Sequence, residues 1–147
     1  MKAINIFYAD DDDDDLMLFS EAVENISSIS ETQINLHLHK NGDQLIENIR
    51  NNKSDKGIAF LDINMPFKSG FQLLEEIRKE AQIQHFPVII YSTSSNKDFI
   101  DKSQELGADF YAVKPYEFND LLKMITAFIE TNWENHKADI KHLIYKF

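Results

Sequence analysis

A chain of 147 residues with 43% hydrophobic and 12% aromatic content suits one globular domain with a real core, and at this length the expectation is that it carries no separate output module. Its 25 acidic against 15 basic residues give a net charge of −10, which argues against nonspecific binding to nucleic acid or an anionic membrane and favours a basic or cation-assisted partner. No apolar run approaches the ~20 residues of a membrane span and no secretory signal opens the chain, so the expectation is a cytoplasmic protein; with no cysteine, disulfides, thiolate nucleophiles and cysteine metal sites are excluded.

Short apolar runs alternate with helical stripes along the chain. The expected strands are Ala3 to Ala9, Ile34 to His39, Gly57 to Leu61, Val88 to Tyr91 and Phe110 to Val113. Between and after them, Leu16/Phe19/Val23/Ile26, Leu45/Ile46/Ile49, Leu73/Leu74/Ile77, Phe99/Ile100/Leu106 and Leu121/Leu122/Ile125/Phe128/Ile129 recur at three- and four-residue spacing, the mark of helices lying on a sheet. Four strands are almost wholly apolar, as parallel strands covered on both faces should be. In the second, Ile34, Leu36 and Leu38 alternate with Asn35, His37 and His39, which predicts a half-exposed edge strand with its histidines on a wet face. The alternation predicts an α/β, doubly wound, open parallel sheet with its ligand site beyond the carboxyl ends of the strands.

Those strand ends carry the chemistry. Six aspartates, Asp10 to Asp15, follow the first strand, a single aspartate, Asp62, ends the third, Ser92 follows the fourth and Lys114 the fifth. Clustered carboxylates in a partly dry site repel one another strongly unless a divalent cation or solvent absorbs the charge, so the acids suggest a metal site. Asp10, Asp12, Asp14 and Glu21 also fit positions of a calcium-binding EF-hand loop, but Asp15 stands where that loop needs glycine and a strand precedes it. Asp12 is a natural helix N-cap, with Asp13 to Asp15 favouring the positive end of the first helix.

Asp10-Asp11, Asp62-Ile63-Asn64-Met65-Pro66 with Gly70, Ser92-Thr93 and Lys114-Pro115 resemble, in order and spacing, the receiver domains of two-component response regulators, over roughly Lys2 to Thr131. The resemblance implies a flavodoxin-like, five-stranded sheet of strand order 2-1-3-4-5, and a CheY-like, single-domain response regulator acting in signal transduction or a phosphorelay. It implies that Asp62 is the phospho-acceptor, taking a phosphoryl group from a histidine kinase or histidine phosphotransfer protein to become 4-aspartylphosphate. Mg²⁺ would be held by Asp10, Asp11, Asp62 and the backbone carbonyl of Asn64. Lys114 and Ser92 would contact the phosphate, the Lys114–Pro115 bond would be cis, and Ser92 and Tyr111 would form the switch, Tyr111 turning inward as Ser92 moves. Such a protein is not an enzyme acting on a separate substrate but promotes its own phosphorylation and dephosphorylation, and it signals by phosphorylation-dependent contact with a downstream protein target.

Two other functions compete. A phosphatase of the haloacid-dehalogenase type fits Asp10-x-Asp12 loosely but leaves Asp62 without a role and lacks a cap domain; a degenerate receiver has no physical need for clustered acids. The last residues extend past a receiver, so the expected division is 1–131 for the receiver domain and 132–147 for a C-terminal helical extension. There Ile140, Leu143, Ile144 and Phe147 form one apolar stripe, which either covers its own domain or extends the face of the fourth helix, fifth strand and fifth helix to pack against a second copy, in a homodimer, or against a target.

Overall fold

The computed structural model describes residues 3–52, 56–133 and 144–145. Its elements follow the expected order: β1 (Ala3–Ala9), α1 (Asp13–Ile29), β2 (Gln33–His39), α2 (Gly42–Asn51), β3 (Gly57–Leu61), α3 (Gly70–Lys79), β4 (Val88–Ser92), α4 (Lys97–Glu105), β5 (Phe110–Val113), α5 (Phe118–Glu130) and a two-residue β6 (Ile144–Tyr145). All the strands pair in parallel, in the order β2-β1-β3-β4-β5-β6. The five-stranded order 2-1-3-4-5 is thus present, with β2 at one edge as its alternation predicted, and β6 added beyond β5.

The two-residue period of the strands sorts the core into two layers. Ile4, Ile6 and Tyr8 of β1, Ile58 and Phe60 of β3, and Ile89 and Tyr91 of β4 pack with Leu16, Phe19 and Val23 of α1 and with Leu121, Met124 and Phe128 of α5. Their neighbours Phe7, Ala9, Ala59, Leu61, Val88 and Ile90 point the other way, onto Leu45 and Ile49 of α2, Leu73 and Ile77 of α3, and Ile100 of α4. Covering both faces leaves backbone polar groups free of competition from water only where the ladder pairs them, and the strand ends are where function can be placed.

The polar residues of β2 depart from expectation. His39 is buried and its Nε2 lies 3.5 Å from Asn48 Nδ2 on α2, while His37 stacks on Phe7 at 4.6 Å between ring centroids and reaches Asn5 Oδ1 at 3.1 Å. The face that reads as wet is half-buried at Asn35 and His37 and closed at His39, where Asn48 of α2 supplies the polar partner that lets a neutral histidine be buried.

The C-terminal expectation also needs correction. Ile144, placed by its spacing on a helical stripe, lies instead in β6, where Tyr111 pairs with Ile144 and Ala112 with Tyr145. An outer strand exposes a row of unpaired N–H and C=O groups, and extended chain satisfies them whatever the side-chain period says. Ile140, Leu143 and Phe147 lie outside the described residues. Before that segment, Trp133 closes α5, its ring against Phe110 and Phe128 and its Nε1 donating to the Phe128 carbonyl at 3.0 Å. Among the described residues, no helix is long and apolar enough to cross a membrane.

Candidate functional site

The parallel ladder sets the site. At the carboxyl ends, the Asp10 N–H donates to the His39 carbonyl of β2 at 3.0 Å, the Asp62 N–H to the Ala9 carbonyl of β1 at 3.0 Å, and the Lys114 N–H to the Ser92 carbonyl of β4 at 2.7 Å. Each strand end is thus fixed by its neighbour, and Asp10, Asp62, Ser92 and Lys114 leave the sheet side by side. Close packing holds the end of β3 in place. A Cβ on Gly70, the first residue of α3, would lie 2.3 Å from the Asp62 carbonyl oxygen, so only glycine lets α3 start this near the acid. A capping box between Ser69 and Gln72 then satisfies the first turn of that helix.

Asp10 is fully buried and Asp62 nearly so, while Asp11 is exposed; one carboxylate oxygen from each lies within 4.8 Å of the other two. Asp10 accepts from the Tyr8 hydroxyl at 2.5 Å and the Asp12 N–H at 2.9 Å. Asp12 caps α1 as expected, accepting from the N–H groups of Asp14 and Asp15. Lys114, half-buried, places its Nζ 2.7 Å from Asp10 Oδ2, 2.8 Å from Asp15 Oδ2 and 3.4 Å from Asp62 Oδ1, with the Tyr91 ring centroid at 5.4 Å. Four carboxylates therefore surround or adjoin one ammonium, and the excess is negative.

That imbalance is visible in the titration of the groups. Burial, reinforced by Asp10 and Asp11 and opposed by Lys114, pushes the Asp62 carboxyl up to about 6. Burial alone would lower Lys114, but its bonds to Asp10 and Asp15 and the charge of Asp62 outweigh it and hold the ammonium above its ordinary range. Burial and then the Asp10 carboxylate keep the Tyr8 hydroxyl protonated, so it is a donor to Asp10 at any ordinary pH. An all-oxygen set of this kind suits a hard divalent cation such as Mg²⁺, which needs few protein carboxylates and tolerates little distortion.

The remaining sequence-designated residues lie around this cluster. Ser92 is buried, and its Oγ accepts from the Ser94 N–H at 3.1 Å. Tyr111 is fully buried in the inward position, its hydroxyl donating to the Ser94 carbonyl at 2.7 Å, so both switch candidates meet at one residue, Ser94. Asn64 and Thr93 are exposed on the loops that follow β3 and β4. The resemblance implied a cis Lys114–Pro115 bond, but the bond is trans; no cis bond occurs among the described residues, and the lysine reaches the acids from a trans bond. Sequence reasoning missed two participants. Tyr8 could have been found, since it lies two residues before Asp10 and so on the same side of β1. Asp15 reads from the sequence only as part of the helix end.

The family model for the response regulator receiver domain matches residues 6–126. The chain belongs to that family. Among its relatives, the response regulator Rcp1 of Synechocystis sp. is 34% identical over 82 residues, covering 56% of this chain and 55% of Rcp1. The Bacillus subtilis transcriptional regulatory protein MalR is 44% identical over 61 residues, 42% of this chain and 25% of MalR. The matched stretch is therefore about half the length of Rcp1 and a quarter of MalR. Among solved structures, the phosphorylated cyanobacterial phytochrome response regulator RcpA superposes with a TM-score of 0.75 at 26% identity, covering 92% of this receiver and 96% of RcpA. Vibrio cholerae CheY4, at 18% identity and a TM-score of 0.71, covering 85% and 98%, shares the fold.

Proposed function

We propose that this receiver accepts a phosphoryl group on Asp62 from the phosphohistidine of a histidine kinase or phosphotransfer protein, and signals by a change in protein contacts. The observation that carries the reading is the position of Asp62: its carboxylate lies within 4.8 Å of both Asp10 and Asp11 while Lys114 Nζ lies 3.4 Å from its Oδ1. An Asp62 oxygen forms the bond to phosphorus, the P–N bond of the donor breaks, and its electron pair leaves with the imidazole nitrogen. Asp10, Asp11, Asp62 and the Asn64 carbonyl would hold Mg²⁺, which when bound neutralises phosphoryl oxygens. Lys114 follows the charge that develops on the phosphoryl group, and the Ser92 hydroxyl, whose oxygen accepts from the Ser94 N–H, donates its proton to it. Lys114 already sits in place, so little reorganisation accompanies the transfer.

The signal would travel through Ser92, Ser94 and Tyr111 to the surface of α4, β5 and α5, where a downstream target docks. Residues 1–131 form the receiver in this reading and 132–147 an extension whose β6 lies along the same surface. Incubation with acetyl phosphate and Mg²⁺ should add one hydroxylamine-labile phosphoryl group by intact mass, and Asp62→Asn should abolish it. A variant still modified would overturn the assignment. Ser92→Ala should still be phosphorylated but respond weakly in the Tyr111 ring signals on beryllofluoride addition.

A further inference from the structure

An ammonium has three N–H donors, and Lys114 finds three carboxylates: Asp10, Asp15 and Asp62. Asp10 and Asp62 belong to the cluster of mutually close oxygens that suits a divalent cation; Asp15 does not. A cation seated there draws on two of the carboxylates that hold the lysine, Asp10 and Asp62, and repels the ammonium at short range. Asp15 is then the remaining carboxylate partner of the three. Tyr91, whose ring lies 5.4 Å from Nζ, offers only the weak attraction of an aromatic face.

We propose that Asp15 is a positioning residue for the phosphoryl-transfer site, a tether that keeps Lys114 beside Asp62 when the divalent cation engages Asp10 and Asp62. The proposal rests on the reading of Asp62 as phospho-acceptor and of its neighbours as the cation site. The sequence builds the tether economically. Asp12 Oδ1 accepts from the Asp15 N–H at 3.1 Å, fixing the first turn of α1, and that turn presents the Asp15 carboxylate to Lys114 across 99 residues of chain. A lysine stem has high rotamer entropy, so an untethered Lys114 would be distributed among orientations of which few reach a phosphoryl group. The negative charge of Asp15 is in contact with Lys114, which offsets its repulsion of the incoming phosphoryl oxygens.

The test is beryllofluoride binding to the full chain in saturating Mg²⁺, followed by tyrosine fluorescence, in a double-mutant cycle. Because Asp15 is one-third exposed, its removal should have a moderate effect: Asp15→Ala should bind beryllofluoride roughly three- to tenfold more weakly, with Asp15→Asn between it and the parent. Mg²⁺ alone should bind Asp15→Ala within about twofold of the parent. In a Lys114→Ala background, Asp15→Ala should cause no further loss. A ¹⁵N spectrum with Mg²⁺ should show a slowly exchanging Lys114 ammonium in the parent and lose it in Asp15→Ala. Unchanged or tighter beryllofluoride binding by Asp15→Ala, or an equal loss in the Lys114→Ala background, would overturn the tether while leaving the functional reading intact. If the parent protein itself fails to bind beryllofluoride, the functional reading falls and the tether with it. Circular dichroism checks that each variant is folded, and Asp15→Asn, which keeps an acceptor oxygen and removes the charge, decides the matter if the alanine variant is not.

Discussion

The two ends of the same strands solve the problem of a part-buried charge in opposite ways. At the amino ends of β4 and β5, Arg78 donates to the carbonyls of Gly107, Gln84 and Phe86 and to the Asp109 carboxylate, which also accepts from the Val88 N–H. One cation meets one carboxylate, and the other donors find backbone oxygens. At the carboxyl ends, one ammonium meets Asp10, Asp15 and Asp62, with Asp11 nearby. A balanced cluster is complete in itself and does structural service; an unbalanced one leaves negative charge that a further cation would offset.

Breaking the balanced end should cost most. Arg78→Ala strips the Asp109 carboxylate of a partner and leaves three carbonyls to find water, a loss of about 3 to 5 kcal/mol. Urea denaturation should show that loss, with or without Mg²⁺, while the fraction that remains folded should still take up a phosphoryl group from acetyl phosphate. A large drop in labelling of the folded fraction would show that the two ends are coupled.

Relieving the unbalanced end should act with the opposite sign. The Asp62 carboxyl is raised from 3.8 to about 6, so the folded protein holds that proton more tightly than the unfolded chain does. Stability conferred by the neutral carboxyl is fully present below pH 3.8 and is lost as pH rises to about 6. In the absence of divalent cations, Asp62→Asn should therefore be more stable than the parent by about 2 to 3 kcal/mol above pH 7, a gain that vanishes near pH 4. Mg²⁺ should shrink the difference by stabilising the parent. Equal stability of the two proteins at pH 8 without Mg²⁺ would mean that Lys114 balances the site after all.

His39, between these extremes, titrates the other way. Burial first, and then the neighbouring His37, lower its pKa from 6.5, so the folded state favours the neutral ring. That contribution is present above pH 6.5 and is lost as the pH falls below it. His39→Asn should flatten the stability profile between pH 6.5 and 5 relative to the parent, measured by denaturant midpoints. An unchanged acid limb would place the titrating group elsewhere.

The legibility of the molecule in its sequence follows the same division. Asp10, Asp62, Ser92 and Lys114 could be placed together because parallel pairing aligns successive strand ends, and each residue directly ended or followed an apolar run. The edge position of β2 was legible from its alternation, but not the fate of His37 and His39, because alternation separates two faces without saying whether helix or water covers the polar one. Asp15 was hidden for a related reason. Its place in the first turn of α1 was clear, but its partner is 99 residues away and depends on how α1 sits across the sheet. Ile144 misled because apolar residues at helical spacing, in a segment this short, carry less weight there than the edge of β5 that it pairs with.

The smallest effect should come from that edge. Truncation after Trp133 removes β6 but retains the indole against Phe110 and Phe128, so the two layers of the core stay closed. Two paired residues contribute only one or two net backbone hydrogen bonds, about 1 kcal/mol of stability. The truncated protein should therefore fold, lose a few degrees of thermal stability and accept a phosphoryl group from acetyl phosphate at an unchanged rate. Sedimentation velocity separates this from the other role expected for the tail. If β6 only covers its own sheet, the oligomeric state in solution is the same before and after truncation; if a dimer becomes a monomer, the residues after Trp133 act between chains, and the edge of β5 belongs to the docking surface.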